Sequence, residues 1–405
     1  MKILKNASIT TVKGIKAAGI SSGLKKSGKK DLCLIYSEEK SIAAGAFTQN
    51  KVKAAPVILS MTNIENTNTQ ALIINSGNAN ACNGENGYKD AIKMTELVSE
   101  NLNISPKEVL VQSTGIIGLP LPMDKITSGI NNIYTKLSKD GGNDAALAIL
   151  TTDTFPKQVT VQMEIDNKTV TLSGIAKGSG MIHPNMATML GNLFTDINIS
   201  KELLKKIFKE SVDNTFNMIS VDGDTSTNDM CIIMANGAAK NKLIDSENED
   251  LKIFKDALDY VNKTLAKLIA KDGEGATKLL EVSVLNGKTK KDSKLVAKSI
   301  ITSNLTKCAF FGEDANWGRI LCAVGYSEAD FNIENIDIHL NANENSMQVV
   351  KNGAGVPFNE DHIKEILKED EINILVDLKD GKYNAKAWGC DLSYQYVKIN
   401  GSYRS

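Results

Sequence analysis

The sequence lacks long apolar runs, and neither sign of charge is in clear excess. No stretch approaches the roughly 20 apolar residues that a membrane-spanning helix needs, so we expect a chain that does not enter a membrane. The first residues lack the apolar core of a secretory signal, which favours a cytoplasmic protein. Lysine and arginine together number 47 against 48 acidic residues, so the composition does not indicate a nucleic-acid partner.

Residues that commonly bind metals are also sparse. The six cysteines are scattered and form no CxxC pair, which argues against a zinc site or a disulfide framework and favours reduced thiols. The three histidines are far apart and show no HxxxH spacing. No P-loop or dinucleotide-fold glycine pattern occurs, so we expect neither a metal nor a bound cofactor.

The sequence does contain short apolar segments interleaved with amphipathic ones along its 405 residues. Residues 108–112 have the composition of a buried strand. Residues 158–165 and 168–176 alternate around Asp-Asn, a pattern typical of a hairpin. Residues 250–270 carry apolar side chains at helical spacing and should form the longest helix. Strict strand–helix alternation is absent, so we predict an α/β class with mixed sheets covered by helices.

Two further predictions concern strands, two of them early in the sequence and one at its C-terminal end. Residues 31–37 and 42–48 are short apolar segments and indicate two buried strands. The last residues alternate up to Ile399 and indicate a terminal strand. The tail from Asn400 to Ser405 would either be frayed or, if that strand packs, be ordered by it.

One stretch, Lys177 to Gly191, fits neither a plain helix nor a plain strand, because glycines free its backbone and Pro184 fixes it. Within it, Ala187 precedes Thr188. A threonine hydroxyl becomes a useful nucleophile when a base lies beside it, and the nearest base is its own α-amine. That amine is free only if the chain is cut between Ala187 and Thr188. Taken alone, the Ala187-Thr188 sequence is explained more simply as part of a turn or as the end of a strand.

Four other segments offer polar groups suited to a site. The strand at 108–112 continues into Thr114-Gly115, which either aims a hydroxyl and an N–H at one point, as in an oxyanion hole, or is simply the exit of the strand into a loop. The loop 75–84 is rich in asparagine and glycine and either forms tight turns or is an ordinary surface loop. The hydroxyl cluster 151–154 fits a polar substrate or a local turn. Glu274, between two glycines, is either an amine ligand or a solvated charge.

These segments together resemble the ArgJ family of ornithine acetyltransferases (glutamate N-acetyltransferases) of arginine biosynthesis. The resemblance covers essentially the whole chain, and KGSGMIHPNMATML is its most specific segment. The others, in order, are GIKAAGI, INSGNANACNG, STG, TTDT, SVDGDTSTND, NWGR and SYQYVKIN. The family usually ends in Thr, whereas Ser405 stands here and keeps the hydroxyl.

The resemblance implies a two-domain sandwich of mixed sheets flanked by helices and a precursor that cuts itself at Ala187–Thr188. The α chain (1–187) and the β chain (188–405) would stay together as a heterotetramer of two α and two β chains. Thr188 would be the nucleophile, and Thr114 with Gly115 the oxyanion hole. The implied substrate contacts are Thr151 or Thr152, Lys177, Thr188, Glu274, Asn400 and Ser405.

The implied reaction moves an acetyl group from N-acetylornithine to glutamate through an acetyl-Thr188 enzyme. A bifunctional version would also take acetyl from acetyl-CoA, and the sequence leaves this open. The alternative is an N-terminal-nucleophile amidohydrolase or aminopeptidase of similar architecture, in which water replaces glutamate. A non-catalytic binding protein that never cleaves is a third interpretation.

Overall fold

The computed structural model describes residues 1–66, 68–183 and 189–402. Four residues singled out from the sequence lie outside the described residues: Pro184, Ala187, Thr188 and Ser405. The strands are β1 (Lys2–Ile3), β2 (Ile15–Ile20), β3 (Leu32–Phe47), β4 (Thr69–Asn78), β5 (Val109–Ile116), β6 (Lys157–Ile165), β7 (Lys168–Lys177), β8 (Leu190–Thr195), β9 (Ile219–Ser220), β10 (Met230–Ala235), β11 (Leu279–Gly287), β12 (Asp337–Ala342), β13 (Asn345–Lys351), β14 (Ala354–Gly355), β15 (Glu371–Asp377) and β16 (Tyr383–Cys390). The helices are α1 (Ala55–Asn63), α2 (Gly84–Leu102), α3 (Met123–Ile133), α4 (Gly142–Ala148), α5 (Lys201–Asn214), α6 (Glu249–Lys271), α7 (Lys290–Thr302), α8 (Asn304–Phe311), α9 (Trp317–Gly325), α10 (Glu360–Leu367) and α11 (Tyr394–Ser402).

A nine-stranded mixed sheet forms the first half of the fold. Its order is β1-β6-β7-β8-β10-β3-β4-β5, with β2 paired to β3. The long strand β3 joins two arms, because its first part pairs with β2 and β4 and its last part with β10. The β4–β5 and β8–β10 pairs are parallel, and the other pairs in this sheet are antiparallel.

The two arms of this sheet face each other across a common core. Alternating side chains from β4, such as Leu72 and Ile74, meet side chains from β8 and β10, such as Phe194 and Ile232. The outer face of one arm packs against α2 and α3, and the outer face of the other against α5 and α6. The result is a sandwich of four layers, in which two helix layers enclose the two arms of the sheet, because each arm buries both of its faces.

The second sheet has seven strands in the order β14-β13-β12-β15-β11-β16-β9. It pairs strands both in parallel, as in β11–β15, and antiparallel, as in β11–β16. Helix α7 packs against β11 and β16. The predicted α/β class with mixed sheets and covering helices is therefore confirmed. Among the described helices, none is long and apolar enough to cross a membrane.

Two local predictions are wrong. The segments 31–37 and 42–48 are parts of the single strand β3, because successive parts of that strand pair with different neighbours. The tail to Ile399 is helix α11, not a strand. Its alternating apolar residues do not face a core, since Tyr394 is 84% and Val397 67% exposed. Ser393 instead accepts the Gln395 N–H at 3.1 Å and donates to the Gly275 carbonyl at 2.6 Å, which fixes the start of the helix.

A buried pair of amides crosses the sandwich. Gln112 on β5 and Asn192 on β8 are both fully buried, and each donates to the other at 2.9 and 3.0 Å. Replacing one partner leaves a buried amide without its hydrogen bonds, whereas replacing both removes the unsatisfied groups together.

We therefore expect Gln112→Leu to lower the free energy of unfolding by about 1–3 kcal/mol, measured by denaturant titration. Adding Asn192→Leu should recover part of that loss. The matched control is Asn131→Leu, which breaks the exposed amide contact with Asn101 and should change stability little. Equal losses at the buried and exposed pairs would contradict the assigned burial.

Candidate active site

A cavity of about 190 Å³ lies where several strand ends and loops meet. All of the described residues that the sequence predicts for the site line it: Thr114, Gly115, Thr151, Thr152, Lys177, Glu274 and Asn400. They come from segments far apart in the chain. The fold therefore brings into one cavity groups that the sequence could only list separately.

The end of β5 supplies Thr114 and Gly115. Gly115 has φ +133°, and a Cβ placed there would lie 2.3 Å from the carbonyl carbon of Gly77. Only glycine tolerates both this conformation and this close approach to the neighbouring strand. The glycine at position 115 thus fixes the backbone direction with which β5 enters the cavity immediately after Thr114.

The asparagine-rich loop after β4 is not an ordinary surface loop. Asn75 is fully buried, and its side-chain oxygen accepts the Ser113 hydroxyl at 2.5 Å. Asn228 donates to the Ser113 carbonyl at 2.8 Å and to the Ala79 carbonyl at 2.5 Å. The residue before Thr114 is therefore held from both sides, and tight turns at Asn80 and Gly77 have the positive φ that the composition indicates.

Lys177 ends β7 and is 9% exposed. The ammonium of a second lysine, Lys157, is fully buried and lies 2.7 Å from an Asp153 oxygen and 2.6 Å from an Asp272 oxygen. Asp153 also accepts the Gly178 N–H at 2.8 Å and the Thr151 N–H at 3.0 Å. The buried triad of Lys157, Asp153 and Asp272 therefore positions both the end of β7 and the hydroxyl cluster.

The charge of Asp153 follows from these contacts. Burial alone would raise the pKa of its carboxyl, but the Lys177 and Lys157 ammonium groups and the hydrogen bonds from Lys157 and Thr151 hold the pKa at about 2. Asp153 is thus ionised at neutral pH. The hydroxyl cluster 151–154 forms a local turn through Asp153 and also presents Thr151 and Thr152 to the cavity, so the two interpretations of it are compatible.

Glu274 is not a solvated charge, since only 8% of it is exposed. Its backbone N–H donates to the Ser179 carbonyl at 2.9 Å, and Asn400 donates to its Oε2 at 2.8 Å. A Cβ at Gly180 would lie 2.3 Å from the Glu274 carboxyl carbon. Glycine at position 180 therefore leaves the space that the carboxylate fills, and Asn400 on α11 orients that carboxylate.

The cavity residues that sequence reasoning missed include Asp222 and Tyr396. Asp222 accepts the N–H groups of Met181 and Ile182 at 2.6 and 2.8 Å, which fixes the segment after Gly180. The phenol of Tyr396 contacts Asp222, and burial, followed by the carboxylates of Asp222 and Glu274, raises the pKa of Tyr396. In the sequence, Asp222 stands out only as part of the segment SVDGDTSTND, and Tyr396 only as part of the tail segment SYQYVKIN.

Thr188 and Ala187 cannot be placed, since they lie outside the described residues. Ile182 and Met189, which stand on either side of that segment, both line the cavity. His183 lies 3.2 Å from the Ser220 hydroxyl, and burial, with a smaller contribution from Lys298, lowers the pKa of His183 to about 4. His183 is therefore neutral at physiological pH.

The described part of the chain contains no group of three or more His, Cys, Asp or Glu side chains that could hold a metal ion. The described lining of the cavity offers the buried Lys177 ammonium, carboxylates that include those of Glu274, Asp222 and Asp229, and hydroxyl and N–H donors at a strand end. That set can bind a small molecule carrying both charges and can stabilise negative charge on an oxygen.

The buried triad makes a direct test of this arrangement. Lys157→Met would leave two buried carboxylates without their cation, so we expect the free energy of unfolding to fall by about 3–5 kcal/mol. The control, Lys205→Met, removes an exposed ion pair with Glu65 and should cost about 1 kcal/mol or less. Thermal and denaturant unfolding would measure both. A Lys157→Met protein as stable as the control would contradict the role given to the triad.

The comparisons with known proteins agree with one another. The model of the ArgJ family matches residues 16–405. An arginine biosynthesis bifunctional protein, ArgJ 1 from Clostridium acetobutylicum, is 55% identical over 405 residues, covering 100% of this chain and 99% of the relative. The arginine biosynthesis bifunctional protein ArgJ of Caldanaerobacter subterraneus is 56% identical, covering 100% of both chains.

A solved structure is also similar in sequence. It is the ornithine acetyltransferase of Mycobacterium tuberculosis, complexed with ornithine. It is 40% identical, covers 46% of this chain and 99% of its own, and has a TM-score of 0.44.

Proposed function

The chain belongs to the ArgJ family, and on that premise we propose that it transfers the acetyl group of N2-acetyl-L-ornithine to L-glutamate in arginine biosynthesis. One observation carries the proposal within the fold. Every described residue expected at the site, from Thr114 to Asn400, lines the same cavity. An active site for a small zwitterion needs such convergence of charged and neutral polar groups.

Maturation by self-cleavage at Ala187–Thr188 is part of the proposal. The Thr188 hydroxyl attacks the Ala187 carbonyl, and the peptide nitrogen leaves as the α-amine while an ester forms. Water then hydrolyses this ester. The described residues on both sides of this segment line the cavity, which supports placing the new N-terminus there. The freed α-amine has a pKa of about 8, low enough to act as a base at physiological pH.

The sheet explains how two separate chains would stay together. Strand β7 precedes the cleavage point and β8 follows it, and the two are paired antiparallel from Leu172 to Lys177. Beyond β8 lies β10, which pairs in turn with β3. Strands of the β chain would thus occupy the middle of a sheet whose other strands belong to the α chain. We propose that two α and two β chains then form the heterotetramer.

The division at 187/188 is therefore a proposal about processing and not about folding units. It does not separate the two sheets, since β8 and β10 belong to the first sheet and follow the cut. The cytoplasmic location likewise stays a prediction from the sequence.

Acetyl transfer then proceeds in two half-reactions. Thr188 Oγ attacks the acetyl carbonyl of N-acetylornithine, and the α-amine takes the hydroxyl proton. The Thr114 hydroxyl and the Gly115 N–H stabilise the oxyanion. The carbon–nitrogen bond breaks, ornithine leaves with that proton, and acetyl-Thr188 remains. The amine of glutamate attacks this ester, which forms N-acetylglutamate and restores the hydroxyl.

The proposed substrate contacts follow from the charges of the substrates and of the cavity residues. Donor and acceptor both carry an α-carboxylate, which the Lys177 ammonium can bind in either half-reaction. Glu274, held by Asn400, is suited to the side-chain ammonium of ornithine. Thr151 or Thr152 supplies a further hydroxyl. We propose that the Ser405 hydroxyl also contacts the substrate. The contact between Lys177 and the α-carboxylate can thus serve both substrates in turn.

The half-reaction tests this function. Incubation with N-acetylornithine labelled in its acetyl group, without glutamate, should release ornithine and leave the label on Thr188 of the β chain. Glutamate should then carry the label into N-acetylglutamate. Mass spectrometry of the peptide beginning at Thr188 measures the first step. Release of acetate at the same rate with and without glutamate would instead identify the alternative, an amidohydrolase.

The assignment of Thr114 to the oxyanion hole gives a second prediction. Thr114→Val keeps the shape but removes one donor, so kcat should fall by about 10²–10³-fold while KM changes much less. Rates are normalised to the cleaved fraction, since cleavage can use the same donor. The control, Thr62→Val, removes an exposed hydroxyl on α1 and should leave kcat unchanged. A normal kcat in cleaved Thr114→Val would exclude this hydroxyl from the oxyanion hole.

A further inference from the structure

The backbone is strained at Met181, six residues before the proposed cleavage point. Met181 has φ +56°, which lies in the left-handed region. A residue with a side chain rarely adopts this conformation, because its Cβ crowds the following carbonyl oxygen. Such a conformation persists only where the surrounding structure imposes it, and it often marks a functional segment. The contacts that impose it on Met181 are therefore of interest.

The carboxylate of Asp222 holds this left-handed turn in place. Its Oδ2 accepts the Met181 N–H at 2.6 Å, and its Oδ1 accepts the Ile182 N–H at 2.8 Å. Successive N–H groups around a left-handed residue form a concave site for an anion, and the charge on the acceptor strengthens both hydrogen bonds. The carboxylate therefore offsets the conformational cost at Met181.

Further contacts fix the direction of the chain after the turn. The Val221 N–H donates to the Ile182 carbonyl at 2.7 Å, and the Thr225 hydroxyl donates to the His183 carbonyl at 2.8 Å. The backbone is thus bound at three successive residues, 181 to 183. His183 is the last described residue before the proposed cut, so the chain approaches that cut from a fixed point.

The loop that bears Asp222 is itself anchored to the second sheet. Strand β9 ends two residues before Asp222 and pairs with β16. The buried Lys307 ammonium, on α8, donates to the Val221 carbonyl at 2.6 Å. Lys298, on α7, donates to the Ile219 carbonyl at 3.2 Å. The carboxylate that holds the turn therefore stands on a rigid support.

We propose that Asp222 is a positioning residue for self-cleavage, which holds the left-handed turn at Met181 so that the following chain brings the Thr188 hydroxyl to the Ala187 carbonyl. In this role the carboxylate takes no proton and forms no bond to the reacting atoms. An attack within one chain is fast only when both groups are held in the reactive geometry. The proposal rests on the proposed function and concerns its maturation step.

The turn itself separates positioning from the other role a carboxylate could have, that of a base for the Thr188 hydroxyl. Both roles are weakened in Asp222→Asn. Glycine adopts the left-handed conformation without the cost that a side chain brings. Met181→Gly should therefore keep the turn when the carboxylate is replaced, whereas it cannot replace a base.

The rate of cleavage tests the proposal. Asp222→Asn keeps one oxygen acceptor and replaces the other by an amide donor, so one hydrogen bond to the turn is lost. We expect the rate constant of cleavage to fall by about tenfold or more. Adding Met181→Gly should recover most of that loss, with Met181→Gly alone as the reference. Conversion of newly translated full-length chain into two fragments, followed in a cell-free system by intact mass, measures these rates.

Asp196 provides a matched control. It is fully buried and accepts two backbone N–H groups, from Thr171 at 2.7 Å and from Lys13 at 3.4 Å, but it follows the far end of β8. Asp196→Asn should destabilise the protein to a similar extent and leave the cleavage rate close to that of the wild type. Denaturant unfolding of both variants in a Thr188→Ala background, where we expect no cut, compares their stabilities.

The possible results separate this role from the proposed function. Cleavage of Asp222→Asn at the wild-type rate would overturn the positioning role and leave acetyl transfer standing. A slow Asp222→Asn that Met181→Gly does not improve, or an equally slow Asp196→Asn, would also overturn it. The expected pattern of rates, in a protein whose cleaved form transfers no acetyl group, would support the positioning role and overturn the proposed function. A wild-type chain that is never cut would overturn both.

Discussion

The buried Lys157 ammonium, between Asp153 and Asp272, ties together the segments that make the active site. Asp153 reaches the backbone of the hydroxyl cluster and of Gly178. Asp272 accepts from the backbone of Thr154, and its own carbonyl accepts the Ser179 hydroxyl. A buried charge without partners is costly, so these segments have little freedom to move apart. The position of Lys177 beside the hydroxyl cluster and Glu274 follows from this constraint.

A second constraint comes from the sheet. The segment proposed to be cut connects β7 with β8, two neighbouring strands that are both buried within the sandwich. Cutting a connection of this kind removes no strand pairing. The proposed cut can therefore leave the strand pairing of the surrounding fold unchanged.

Much of the fold class and of the site could be predicted, because the relevant patterns are local. Thr114-Gly115 is visible as a strand that ends in a hydroxyl and a glycine, and the long helix α6 is visible in its spacing. The tail was mistaken for a strand because alternation is also compatible with an exposed helix, here fixed by Ser393 and Asn400. The spacing of apolar residues within a terminal segment cannot reveal which side chains elsewhere in the chain that segment contacts.

The missed residues show the same limit. Asp222 lies in a loop whose acidic spacing resembles a calcium site, yet its carboxylate binds N–H groups 40 and 41 residues earlier in the chain. Lys157 and Asp272, separated by 115 residues, form an ion pair that no spacing rule predicts. The burial of the asparagine-rich loop likewise depends on Asn228, far downstream. The roles of Asp222, Lys157 and Asp272 are therefore decided by partners far away in the sequence and not by residue type alone.

The central claim is that the chain makes its own N-terminal nucleophile at Thr188, and the intact mass of the purified protein under denaturing conditions tests it most directly. The account predicts two fragments, residues 1–187 and a second beginning at Thr188, and a single uncut chain for Thr188→Ala. A wild-type protein that transfers acetyl from N-acetylornithine to glutamate while remaining one uncut chain would contradict it.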